Sequence, residues 1–269
     1  MLYFCSMNED EYYFTDSHTH LYAGQFDSDR AEVVQRCLDN RVRKLVLPNE
    51  DYLSIAPLRS MLSYYKGMCY GAMGLHPTSV NDGYKHEMEL IGEELFNGGV
   101  GYVAVGEIGM DLYWDTTYMD FQKTVLREQF AWSLLLKLPV IIHSRNSESV
   151  VLDILDESGF QDVRGIFHCW SGTIDETIRA MRHENFYFGV GGICTYKNSK
   201  IPSFFEFLDL NRVVLETDSP YLPPVPYRGQ RNESSYIPLI ANKLSEITGV
   251  SVATVADITN ENAKRIFGI

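Results

Sequence analysis

Short, almost wholly apolar runs alternate along this chain with longer stretches in which apolar residues recur every three or four positions. The apolar runs fall at residues 44–48, 68–74, 102–107, 140–143, 165–168, 186–190 and 212–216, and a further strand is expected around His18 and His20. Runs such as Val140-Ile141-Ile142 lack polar alternation, which fits strands covered on both faces in a parallel sheet. Helical spacing marks residues 27–40, where Ala31, Val34 and Leu38 share a face, then 57–66, 85–96 and 117–138. Pro139 stops the last of these. Further helices are predicted at 150–158, 175–183, 204–208, 237–248, 252–258 and 261–267, with a proline-rich loop over 220–232.

Strict strand and helix alternation implies parallel strands, and eight of them close into a barrel. The predicted fold class is therefore α/β, a (β/α)8 TIM barrel forming a single domain over residues 13–269. Residues 1–12, with Asn8-Glu9-Asp10-Glu11, read as an acidic N-terminal extension. No internal repeat beyond the alternation and no low-complexity segment is visible.

The chain's 269 residues suit one such barrel. Lys and Arg total 23 against 36 Asp and Glu, a net charge of −13, which argues against a lysine-coated reader of duplex DNA. It does not exclude an enzyme whose site carries its own metal charge. Cys5, Cys37, Cys69, Cys169 and Cys194 are scattered without a Cys-x-x-Cys pair, so neither a disulfide framework nor a cysteine zinc site is expected. Reduced thiols point to the cytoplasm. The first residues lack the pattern of a signal peptide, and no apolar run reaches the roughly 18 residues of a membrane span. A monomer without an obligate protein partner is expected.

The candidate chemistry lies at strand ends, where the loops of such a barrel converge on one mouth. His18 and His20, two apart in an extended strand, would share a face. His76 follows the third strand, Glu107 ends the fourth, His143 the fifth and His168 the sixth, and Asp218 follows the eighth. Five of the seven histidines fall there; His86 and His183 fall in helices or at their ends and are expected to face solvent. Singly, each has an ordinary explanation: His18 and His20 as surface polar residues, His143 or His168 as a satisfied core histidine, Glu107 as an ion-pair partner. Asp218 before Pro220, and His76-Pro77, have the chemistry of turns. Jointly, those explanations require several buried ionisable groups to converge without compensation, which is costly. A metal site at the C-terminal rim of the strands accounts for all of them.

Seven stretches, in this order, carry a resemblance: Asp16-Ser17-His18-Thr19-His20-Leu21, Gly74-Leu75-His76-Pro77, Gly106-Glu107-Ile108-Gly109-Met110-Asp111, and residues 138–145, 167–172, 216–222 and 224–232. From about residue 14 to 267 the chain resembles the TatD family of metal-dependent deoxyribonucleases, among the amidohydrolase-like barrels. Met110 and Trp170 stand where leucine and phenylalanine are usual. The resemblance implies that His18, His20, Glu107 and Asp218 hold one divalent ion, and that Glu107, His143 and His168 hold a second, with Glu107 bridging. Asp218 is then the proton acceptor, Glu216 orients ligands or water, and His76 contacts a phosphate oxygen. Mg2+ or Mn2+ is implied for the working enzyme, while an imidazole-rich site also admits Zn2+ or Ni2+. Beside the motifs, Arg145, Lys197, Arg228 and Arg231 are expected to meet phosphates. Trp170, with Tyr113, Trp114, Tyr196 and Tyr221, offers stacking surface to unpaired bases. The implied activity is 3′ to 5′ exonuclease action on single-stranded or frayed DNA ends, in DNA repair. The alternative is an amidohydrolase-type enzyme acting on a small amide, lactone or phosphoester. A non-catalytic barrel would carry a broken ligand set, and this set is complete.

Overall fold

A computed structural model describes residues 12–269; seven of its eight strands fall at the apolar runs, and the first lies just before the expected His18 and His20. They are β1 (Phe14–Asp16), β2 (Val42–Pro48), β3 (Cys69–Ala72), β4 (Val105–Asp111), β5 (Val140–Arg145), β6 (Gly165–Phe167), β7 (Phe186–Val190) and β8 (Val213–Leu215). The helices are α1 (Arg30–Asp39), α2 (Ile55–Tyr64), α3 (Tyr84–Asn97), α4 (Met119–Leu136), α5 (Glu148–Leu155), α6 (Ile174–Ala180), α7 (Ile201–Phe204), α8 (Ile237–Thr248) and α9 (Val252–Phe267). Of the expected extension, residues 1–12, all but Tyr12 lie outside the described residues. No helix among the described residues is long and apolar enough to cross a membrane.

Every strand pairing is parallel and follows chain order, as the alternation requires. The ladders form two sheets, β1-β2-β3 and β4-β5-β6-β7-β8, rather than one continuous eight-stranded ladder. Sparse bonds join them at both seams. Ser17 N–H donates to Leu215 O (2.9 Å) and Thr19 bridges to Ser219 on one side. Met73 N–H donates to Ala104 O (3.1 Å), and Gly106 N–H to Met73 O (3.1 Å), on the other.

Both faces of the strands are buried. Val46, Ala72, Ala104, Ile141, Ile166 and Val214 pack together on one face with Ala263, Ile266 and Phe267 of α9. Their neighbours in the period-two pattern, such as Leu45, Leu47, Val140, Ile142, Phe167 and Val213, pack with the surrounding helices. Full burial of one such side chain contributes about 1.5–3 kcal/mol. The two predicted helices at 252–258 and 261–267 are one helix. Its interrupting asparagines are tethers to strand starts, Asn260 donating to Tyr13 O (2.6 Å) and Asn262 to Leu210 O (2.8 Å) and Val213 O (2.7 Å). α9 therefore sits across the ends where strands begin, which leaves the opposite rim for chemistry.

Three shifts from the expected boundaries bear on the site. β1 ends at Asp16, because its carboxylate accepts from His18 N–H (3.2 Å) and from Thr217 N–H (3.0 Å) and Oγ1 (2.6 Å). Such local bonds replace ladder bonds, so His18 and His20 follow the strand instead of lying in it. β4 runs on to Asp111, with a register irregularity between Val105 and Ile108, so Glu107 sits within a bulge and not at a strand end. The short helix expected at 204–208 starts earlier, at Ile201, where Pro202 suits the first turn.

Candidate metal centre

Glu107 is the hub, 2% exposed, and its two oxygens face different imidazoles. Oε2 lies 3.0 Å from His18 Nε2 and 3.5 Å from His20 Nε2. Oε1 lies 3.0 Å from His143 Nδ1 and 3.5 Å from His76 Nε2. Asp218 Oδ1 approaches His20 (3.5 Å), His18 (3.7 Å) and His168 (3.7 Å). All six expected ligands therefore gather around Glu107 and Asp218. His168 stacks on His18, 3.4 Å between ring centroids, and joins His18 and Asp218. His143 groups with Glu107 and His76. The side chains of Asp218, His143 and His76 are 17%, 18% and 13% exposed, whereas His18 is fully buried, so the cluster opens toward the first three.

Hydrogen bonds on the far side of each ring decide which nitrogen faces the cluster. Tyr22 Oη donates to Pro48 O (2.8 Å), so it accepts from His20 Nδ1 (3.0 Å) and leaves the Nε2 lone pair facing inward. Glu216 Oε2 accepts from His168 Nδ1–H (3.0 Å), so Nε2 of that ring also faces the cluster. His20 Nε2 lies only 3.1 Å from His18 Nε2. Two inward lone pairs and two carboxylates without protons of their own converge on one place, and a divalent cation fits that donor set. His76 differs: its Nδ1 accepts from Thr78 N–H (3.2 Å), which puts its proton on Nε2. It faces the cluster as a hydrogen-bond donor.

The electrostatics follow from this crowding. Burial works against the imidazolium of His143, but bonds from Asp111 and Glu107 outweigh it and raise its pKa to about 9. At His168 burial is likewise outweighed, by Glu216 and Asp218, and the pKa rises to about 10. Burial alone would push Glu107 up, yet His18 and His76 hold it well below the usual carboxylate range. Asp218 is lowered too, burial being overcome by His168 and His20. Burial raises Asp16 to about 7 against its hydrogen bonds from Thr217.

Residues outside the predicted ligand set hold this geometry. Asp111 Oδ2 lies 3.0 Å from His143 Nε2, and so stands to His143 as Glu216 does to His168. Two buried glutamines on one face of α4, seven residues apart, clamp the backbone beside site residues. Gln122 bonds Asp111 N–H (2.9 Å) and O (3.2 Å), and Gln129 bonds Leu75 N–H (2.7 Å) and O (3.2 Å), next to His76. Asp111 was within reach of the sequence, since it falls in register with Glu107 at a period of two. Tyr22, Gln122 and Gln129 carry no such mark, because their role depends on bonds that only the folded backbone brings within reach, to Pro48, Asp111 and Leu75.

Glycines let the strands close in. A Cβ on Gly109 would meet His143 O at 1.9 Å, and one on Gly189 would meet Glu216 Oε2 at 2.1 Å. Gly189→Ala should therefore push the Glu216 carboxylate off His168 and weaken divalent-ion affinity about 10- to 100-fold. Isothermal titration of the folded variant checks this, and unchanged affinity would remove Glu216 from the positioning role.

The expected substrate contacts fare unevenly. Arg145 lies over Tyr113 (3.8 Å to the ring centroid) and Trp114 (5.2 Å). Arg228 lies over Tyr196 (4.3 Å), and Lys197 is exposed nearby. Arg231 is turned away: it is held by both oxygens of Asp29 at 2.7 Å, so its fork is already filled. Trp170 is 1% exposed, packed among Phe167 and Phe188 with its indole N–H on Thr177, and has no face left for a base. His86 is exposed as expected, whereas His183 is half-buried beside Asp156.

The fold and this cluster define a metal-dependent hydrolase of parallel α/β architecture. The chain belongs to the TatD related DNase family, whose model matches residues 15–268. It is similar to the uncharacterized metal-dependent hydrolase YabD of Bacillus subtilis, 38% identical over 255 residues that cover 94% of this chain and 98% of that protein. The metal-dependent hydrolase TatD of Mycobacterium tuberculosis, also uncharacterized, is 30% identical over 94% of this chain and 97% of its own length. Among solved structures, the TatD homologue YjjV of Escherichia coli superposes with a TM-score of 0.88 at 28% identity, covering 95% of this chain and 98% of its own.

Proposed function

We propose that this protein is a two-metal deoxyribonuclease that removes nucleotides from the 3′ ends of single-stranded or frayed DNA. In this reading its two sheets act as one closed (β/α)8 barrel, residues 13–269 form one hydrolase domain after an extension of residues 1–12, and the protein works as a cytoplasmic monomer in DNA repair. The observation that carries it is the hub: the two oxygens of one buried carboxylate, Glu107, address His18 and His20 on one side and His143 and His76 on the other. That is the arrangement a bridging ligand between two cations needs.

His18, His20, Glu107 and Asp218 would hold one ion; Glu107, His143 and His168 would hold the other. Bound Mg2+ or Mn2+, or Zn2+ or Ni2+, supplies an activated water and offsets charge on the phosphate. The chain's own residues do the rest. Asp218, held ionised and partly open to solvent, accepts the proton from the attacking water. Glu216 keeps the His168 ring oriented through Nδ1. His76 presents Nε2–H toward the cleft and donates it to a non-bridging phosphate oxygen, where charge develops. Arg145, Lys197 and Arg228 meet neighbouring phosphates, and the exposed rings of Tyr113 and Trp114 meet unpaired bases.

End-labelled DNA tests this. With added Mg2+ or Mn2+, a 3′ label should be released before any shortening from the 5′ end, and a chelator should abolish release. Hydrolysis confined to a parallel panel of amides, lactones and small phosphoesters would sink the nuclease reading in favour of an amidohydrolase-type enzyme.

A further inference from the structure

A cavity of about 390 Å3 opens beside the metal centre, between residues 170–171, the segment 193–204 and Arg228. Its wall begins at Trp170 and Ser171, two and three residues after His168, so at most about 11 Å of chain separates Ser171 from that residue. The lining holds three cations, Lys197, Lys200 and Arg228, and no carboxylate. That is unusual for a chain of net charge −13.

Several arginines elsewhere are neutralised: Arg36 bonds Glu233 (2.6 Å), Arg127 bonds Glu157 (2.5 Å) and Arg179 bonds Asp156 (2.5 Å). Among the described residues Lys197, Lys200 and Arg228 form no ion pair, and Arg228 is held in place over Tyr196. Like charges left together repel one another, and the arrangement lowers its energy when an anion enters. The remaining lining is split between hydroxyl or amide groups (Ser171, Asn198, Ser199) and an apolar wall (Ile193, Ile201, Phe204). The volume lies in the range of small-ligand sites, and this mixture suits a nucleotide: phosphate toward the cations, sugar or base toward the apolar side.

Building on the nuclease reading, we infer that this cavity is a subsite for a nucleotide flanking the scissile bond, its phosphate held by Lys197, Lys200 and Arg228. Lys200 and the cavity wall thereby join the substrate-binding residues, and the enzyme takes a polynucleotide strand in preference to a lone phosphoester. Binding through this subsite weakens with salt, because each phosphate contact releases about 0.7 of a counterion from a single strand.

The test is binding of a fluorescent, cleavage-resistant phosphorothioate strand to the full-length, metal-loaded protein by anisotropy across a salt series. Lys197→Ala/Lys200→Ala should weaken binding about tenfold at low salt and flatten the log–log salt slope by up to about 0.7. Lys200→Arg should restore part of both, and Lys85→Ala, on exposed α3, should change neither. Wild-type affinity and slope in the double variant, or no strand binding by the wild-type protein, would overturn the subsite. Strand binding that depends on both lysines, without cleavage of the ordinary phosphodiester strand, would instead remove the nuclease reading and leave the subsite standing.

Discussion

Glu107→Ala is expected to lower hydrolysis by on the order of 10³-fold or more and to abolish retention of divalent ions, with the fold intact. Among the described residues no other side chain contacts four imidazoles at once, and Asp218 approaches only His18, His20 and His168. Removing the carboxylate takes away both the bridging oxygens and the negative charge that attracts a cation, while His18 and His143 lose a group that favours their protonated forms. Glu107→Gln separates the two effects, because it keeps the volume and one acceptor oxygen but not the charge. Metal content by elemental analysis, with circular dichroism to confirm the fold, reads the outcome. A variant that keeps its metal and turns over substrate would end the bridging role.

Divalent-ion affinity should climb steeply between about pH 6.5 and 10. In the metal-free protein His143 and His168 titrate near 9 and 10, above the ordinary histidine value near 6.5. Both are raised, so the stability they contribute is complete below about 6.5 and is lost as pH rises through their folded values. A cation must displace those protons, so affinity should rise about tenfold per pH unit for each proton released, and about 100-fold when both leave. The two trends oppose each other: metal-free protein weakens toward alkaline pH while the loaded form holds. Titration calorimetry in buffers of different ionisation enthalpy counts the protons directly. Flat affinity with no proton release would mean that neither imidazole binds the ion.

Removal of ligands far from one another in sequence shows why the site was only partly legible before folding. Period-two and period-3.6 patterns located seven of the eight strands and the long helices, because burial of one face is a local property that each segment carries in its own residues. The ligand types at the rim followed from the same pattern, since Glu107, His143, His168 and Asp218 all fall in or just past strands. Boundaries slipped where a side chain competed with the ladder, as Asp16 does before His18. They also slipped at the bulge that carries Glu107.

What the amino-acid order determined is therefore the alternation of parallel strands and helices and the chemical identity of the donors, both set by local periodicity and residue type. Which donors meet was decided only in three dimensions. His168 stacks on His18, Asp111 and Tyr22 fix ring tautomers, Arg231 is consumed by Asp29, and Trp170 is sealed in the core. Most of these depend on strand register and side-chain direction across tens to hundreds of positions, and even the near pair His20 and Tyr22 is fixed by the distant Pro48 carbonyl.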